Sequence, residues 1–90
     1  MGKQKKVTEQ KLPKWFDGVL YTDGDIVRNP LSGAEIELTN VELSMYDFIM
    51  GCQLLAAHGG VVPGRLNTQF RKGLDWFIKN NIQAYMVLLD

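Results

Sequence analysis

Apolar residues recur at helical spacing through the run TNVELSMYDFIMGCQLLAAHG, from Thr39 to Gly59. At about 100° per residue, Val41, Met45, Phe48, Ile49, Cys52, Leu55 and Ala56 form one apolar stripe, and Leu43, Tyr46, Met50, Leu54 and Ala57 form a second. Glu42 and Gln53 separate the stripes on one side; Ser44, Asp47, Gly51 and His58 separate them on the other. Both ends of the run are signalled. The Thr39 hydroxyl can accept from the Glu42 amide while the Glu42 carboxylate reaches back to the Thr39 amide, a capping box with Leu38 and Leu43 at the staple positions. Gly59 suits the left-handed conformation that closes a helix. A surface helix of a small domain usually carries one apolar stripe. Two stripes predict a helix covered twice, by a sheet and a helix of its own chain or in part by a second copy.

Upstream, Val19 to Leu38 alternates as a three-stranded antiparallel meander. Gly18–Thr22 and Asp25–Asn29 flank Asp23-Gly24, a dipeptide suited to a type I′ turn; that register sets Tyr21 opposite Ile26 and Leu20 opposite Val27. Asn29-Pro30-Leu31-Ser32-Gly33 is the next turn, with Pro30 fixing one dihedral and Gly33 permitting a positive one. Ala34, Ile36 and Leu38 then point one way while Glu35 and Glu37 point to water. Downstream, Gly59–Gly64 reads as a loop and about Arg65 to Lys79 as a second helix. Its apolar side carries Leu66, Phe70, Gly73, Leu74, Phe77 and Ile78, and the glycine there predicts a close approach to a bulky neighbour. Asn80 and Asn81 suit a stop and a new cap. Residues 82–90 fit a helix face through Ile82, Tyr85, Met86 and Leu89, or a strand face through Ile82, Ala84, Met86 and Leu88; composition and the cap favour the helix. Leu12–Gly18 is a turn whose Trp15 and Phe16 are either core anchors or an exposed contact site. The fold class that follows is α+β: a three-stranded antiparallel meander packed on a central capped helix, with one or two further C-terminal helices.

Ninety residues make one domain, here a basic arm at 1–11 and a single α+β domain at 12–90. A core of that size is modest, and association is a common way to add burial. The single cysteine forms no internal disulfide, and its place on an apolar stripe predicts a buried, reduced thiol. The chain shows neither a secretory signal nor a membrane span, since Glu42, Asp47 and Gln53 interrupt the longest apolar run; a cytoplasmic protein with no membrane partner is expected. Net charge is zero but unevenly spread. Residues 1–14 set Lys3, Lys5, Lys6, Lys11 and Lys14 against Glu9, for +4, while residues 15–58 set Arg28 against seven acids, for −6. A basic arm and an acidic middle are self-complementary, and short basic arms also bind nucleic acid.

The titratable side chains do not fall into a familiar enzyme pattern. His58 is the only histidine, and with one cysteine there is no zinc spacing. Cys52 and His58 fall on different faces of one helix. Asp23-Gly24-Asp25 resembles part of a calcium loop but lacks the glutamate that completes one, and Gly59-Gly60 follows a helix where a phosphate loop would precede one. No catalytic residue, metal ligand or cofactor is therefore assigned. One residue breaks the binary pattern: Trp76 falls on the polar side of the second helix, beside Gln69, Lys72 and Lys79. It is covered by the arm or terminal segment, anchors an oligomer, or stacks on single-stranded nucleic acid. The candidate interaction surface is Leu43, Tyr46, Met50 and Leu54 on the first helix, with Trp76, Lys72 and Arg65 on the second. The expected function is a non-catalytic interaction module, a homodimer; the alternative is a small nucleic-acid binder using the lysine arm and Trp76.

The run VLYTDGDIVRNPLSGAEIELTNVELSMYDFIMG, with FRKGLDWFIKNNIQAYMVLLD after it, resembles small proteins of marine bacteriophages, the cyanophage type. The resemblance spans most of the chain after the arm. It implies a phage-encoded accessory protein expressed in a bacterial host, and it carries over no catalytic or binding residue and no assigned family function.

Overall fold

Asn29 and Gly33 build the turn of the single β-hairpin among the described residues, which in this computed structural model are 10–59 and 62–89. The Asn29 side-chain oxygen accepts from the amide of Leu31 at 2.8 Å, and its carbonyl accepts from the amide of Gly33 at 2.8 Å. Gly33 takes φ +81°, a conformation in which a Cβ would be strained. The turn joins strand β1 (Asp25–Arg28) to strand β2 (Glu35–Leu38), antiparallel, with Asp25 opposite Leu38 and Val27 opposite Ile36. Ile36 and Leu38 face inward, and Glu35 and Glu37 are exposed, as the alternation predicts. The Asn29 amide nitrogen also donates to the Val87 carbonyl at 2.8 Å, tying the turn to the far end of the chain.

The predicted first strand is not a strand, and the meander has two strands instead of three. The backbone of residues 18–22 is claimed by side chains of the following helix. The Tyr21 amide donates to Ser44 Oγ at 2.9 Å, and the Tyr21 carbonyl accepts from Asn40 Nδ2 at 3.4 Å. Nor is Asp23-Gly24 a type I′ turn, because Gly24 is not among the glycines at positive φ. Gly24 is needed for space: a Cβ built there runs into the Leu38 carbonyl oxygen and lies 3.1 Å from Thr39 Cα.

Helix α1 (Asn40–Ala57) begins as the capping box predicts. The Glu42 amide donates to Thr39 Oγ1 at 3.1 Å, and the Thr39 amide donates to Glu42 Oε1 at 2.9 Å. It ends at His58 and Gly59, the latter at φ +75° with its amide on the Ala56 carbonyl. Thr39→Ala removes one acceptor and is expected to cost about 1 kcal/mol, read as a lowered urea midpoint; an unmoved midpoint would mean that the cap contributes nothing.

Glu42 was expected on a thin polar strip, but it is buried at 3% exposure. Its carboxylate accepts from three neutral donors drawn from three parts of the chain: the Thr39 amide, Gln10 Nε2 at 2.6 Å and Asn81 Nδ2 at 3.1 Å. Ser44, on the other polar strip, is also buried, beneath the Tyr21 backbone, and donates to the Asn40 carbonyl at 2.9 Å. The first two turns of α1 are therefore enclosed on nearly every side.

Helix α2 (Gly64–Asn80) crosses α1 at Gly73, where a Cβ would sit 3.2 Å from Met45 Sδ and 3.3 Å from Ile49 Cγ1. The glycine thus lets two helices approach closely, as its position predicts. Asn81 stops α2 and caps helix α3 (Ile82–Leu88), its side-chain oxygen accepting from the Ala84 amide at 3.1 Å. The C-terminal segment is therefore helical, and α3 packs against β2 and α2. Leu38, Met45, Ile49, Trp76, Phe77 and Ala84 form the core. Among the described residues no helix is long and apolar enough to cross a membrane.

Residues 1–9 of the basic arm lie outside the described residues. Gln10 and Lys11, placed in the arm by sequence, are bound to the domain. Besides Glu42, Gln10 meets Thr39, whose hydroxyl donates to Gln10 Oε1 at 2.7 Å, and the Lys11 carbonyl accepts from Trp76 Nε1 at 2.9 Å. Just beyond, Trp15 and Phe16 stack on Phe48 of α1 with ring centroids 5.6 Å and 5.7 Å away, so they serve as core anchors.

Candidate interaction surface

The second apolar stripe of α1 divides along its length. Leu43 and Tyr46, near the enclosed first turns, are half-buried and pack against the core, and burial pushes the Tyr46 hydroxyl above its ordinary pKa. Met50 is half-buried, and Leu54 is 59% exposed one turn later. Met50 and Leu54 share an open groove of about 480 Å³ with Asp47, Gly51, Gln53 and Ala57, all from this one helix. Two of the four predicted α1 residues are therefore core, and the other two belong to a surface.

Three residues of this surface were assigned to a polar spacer by sequence. Asp47, Gly51 and His58 are exposed and stand on the same side of α1 as Leu54, opposite the buried Met45 and Ile49. Gly51 carries the clearest signal. A mid-helix glycine costs roughly 1 kcal/mol against alanine, and a Cβ built at Gly51 meets nothing within 4 Å. Gly73, the other glycine within a helix core, is explained by the neighbour it admits; Gly51 has no such neighbour among the described residues. Beside Asp47, the Tyr21 hydroxyl is held above its ordinary pKa, mainly by the Asp47 charge.

The α2 candidates fare differently. Trp76 is 9% exposed, so it is not an open stacking platform. The helical wheel set it on the polar side, but residues 11–13 lie over it and its indole N–H is spent on Lys11. Lys72 is exposed beside it, in a groove of about 290 Å³ with Pro13, Trp15, Asp75, Lys79 and Asn80. Arg65 is exposed in the first turn of α2, about two helical turns from Lys72, and does not join that groove.

The nucleophile candidates are held apart. Cys52 is buried toward the core, and burial pushes its thiol above the ordinary range, which keeps it protonated near neutral pH. His58 lies on the exposed side of the same helix. Among the described residues no three His, Cys, Asp or Glu side chains gather as a metal site requires. Comparison with protein-family models, curated proteins and solved structures finds no match to this chain.

Proposed function

We propose that this chain is a non-catalytic interaction module that pairs with a second copy of itself, in the phage accessory role its sequence resemblance implies, within the cytoplasm of a bacterial host. The observation that carries the reading is the open face of α1, where Met50, Gly51, Leu54 and Ala57 line a groove and a Cβ at Gly51 meets nothing within 4 Å among the described residues. An apolar strip of this kind on a small domain marks a contact surface, and a two-fold axis lets one patch cover itself. The side chains with chemical potential support a structural role. Cys52 is inward and protonated, and the Glu42 carboxylate is consumed by three donors.

Met50→Glu places a charge in the strip. Sedimentation of the unmodified protein at micromolar concentration is expected to give twice the chain mass, and the variant is expected to shift toward one chain with its far-UV circular dichroism unchanged. A monomeric unmodified protein would return the strip to plain surface.

The Lys72–Lys79 groove beside Trp15 and Trp76 favours a second reading, contact with single-stranded nucleic acid. Asp75 within the groove opposes a polyanion, and the Trp76 N–H is already committed. Oligonucleotide binding that falls steeply with added salt would support this second reading.

A further inference from the structure

Four exposed residues of α1 lie along one line of the helix, and their order fixes how a second copy would sit. Asp47, Gly51, Leu54 and His58 follow one another at intervals of four, three and four, the alternation by which one line of a helix keeps facing a partner helix. All four are exposed, and Leu54 is 59% so. Met50 and Ala57 flank this line along one edge of the same groove.

Resting on the homodimer reading above, we infer that α1 pairs with α1 of a second copy in antiparallel orientation, about a two-fold axis between Cys52 and Gln53. Three pairings follow from that axis, each made twice. Leu54 of one copy enters the space left by Gly51 of the other. Met50 stands against Ala57. Asp47 meets His58, so the carboxylate at each end of the seam finds an imidazole donor. Large faces small in both apolar layers, and acceptor faces donor in the polar layer. The size difference within the seam gives Gly51 a neighbour that it lacks among the described residues.

Charge and volume exclude the parallel arrangement. A parallel axis sets Asp47 against Asp47, a like-charge contact that costs binding. It also sets Gly51 against Gly51, which leaves a void. The antiparallel register removes both faults with the same residues. Tyr21, whose hydroxyl already faces Asp47 in the monomer, stands at the edge of the polar layer and is the other titratable group beside it.

Three variants test the register in the full-length chain, read by sedimentation across a concentration series. Gly51→Gln fills the space that receives Leu54 with a good helix former, at an exposed position where an added Cβ meets nothing within 4 Å among the described residues. It is expected to raise the dimer dissociation constant by about tenfold or more without lowering the melting temperature at dilution. His58→Asp opposes two carboxylates at each end and is expected to weaken the dimer several-fold. Adding Asp47→His to it exchanges the pair and is expected to restore association. A dimer unaffected by Gly51→Gln and His58→Asp overturns the antiparallel seam while the homodimer stands. A dimer weakened by the single changes but not restored by the exchange overturns the register. An unmodified protein that stays monomeric overturns both readings.

Discussion

Glu42→Ala is expected to cost the domain about 3 kcal/mol or more, the sum of losing a charged acceptor and stranding its donors. The stability of a domain is only about 5–15 kcal/mol, so the variant should be partly unfolded at moderate temperature. The magnitude follows from what the carboxylate touches. It is 3% exposed and accepts from the Thr39 backbone amide, from Gln10 and from Asn81. Glu42→Gln makes the sharper test, because it keeps the volume. Its amide would point N–H groups at N–H groups, and only one of the two side-chain partners can turn over to accommodate it. Gln10 can, because the Thr39 hydroxyl that donates to its oxygen can also accept. Asn81 cannot without giving up the cap of α3, where its oxygen accepts from the Ala84 amide. Glu42→Gln is therefore expected to cost about 2 kcal/mol in urea unfolding, and a variant as stable as the parent would show that the three-donor cluster does not hold the fold.

Gly24→Ala is expected to be nearly as damaging, at about 3 kcal/mol, although the position is exposed and only one methyl is added. That methyl meets the carbonyl oxygen of Leu38, the carbonyl carbon of Leu38 at 3.2 Å and Thr39 Cα at 3.1 Å, all backbone atoms that cannot rotate away. Nor can they shift freely, since Leu38 is 1% exposed in the core and Thr39 caps α1. Relief must come from breaking the Asp25–Leu38 pairing or moving the cap. Gly24→Asn separates this account from the turn-based one. Asparagine is favoured in type I′ turns, so a turn requirement predicts tolerance, whereas close approach predicts that Asn is as harmful as Ala. Urea midpoints of the two variants decide between them.

Local signals in the sequence were read correctly where the chemistry is itself local. The Thr39–Glu42 box, the Asn81 cap, the Asn29–Gly33 turn and the inward glycine at Gly73 each depend on residues a few positions apart or on one helix face. The misreadings share a cause of the opposite kind. Residues 18–22 alternate like a strand, but Ser44 and Asn40, some twenty positions on, take their backbone groups. Trp76 is the mixed case: periodicity sets it on a polar side, and cover by the arm, one of the readings left open for it, is what the segment at Lys11 supplies from sixty-five positions away. Glu42 reads as solvent-facing because neither Gln10 nor Asn81 enters its helical wheel. Periodicity weighs a residue against its own element and is blind to a partner from elsewhere. The interaction surface was half legible for the same reason. Apolar spacing finds Met50 and Leu54, whereas the value of Gly51 shows only once the space around it is known to be empty.

The cluster at Glu42 also bears on the order in which the protein can mature during synthesis. Two of its donors, Gln10 and Asn81, bracket nearly the whole domain, and Lys11 likewise waits for Trp76. A nascent chain that has emerged only as far as α1 holds a carboxylate that lacks one of its three donors and a carbonyl that lacks its indole. Contacts of such long sequence separation form late and slowly. The hairpin and α1 are thus expected to leave the ribosome as a loosely held intermediate, with aromatic surface at Phe48 and Trp15 accessible to chaperones until Asn81 is released and the domain closes in one cooperative step.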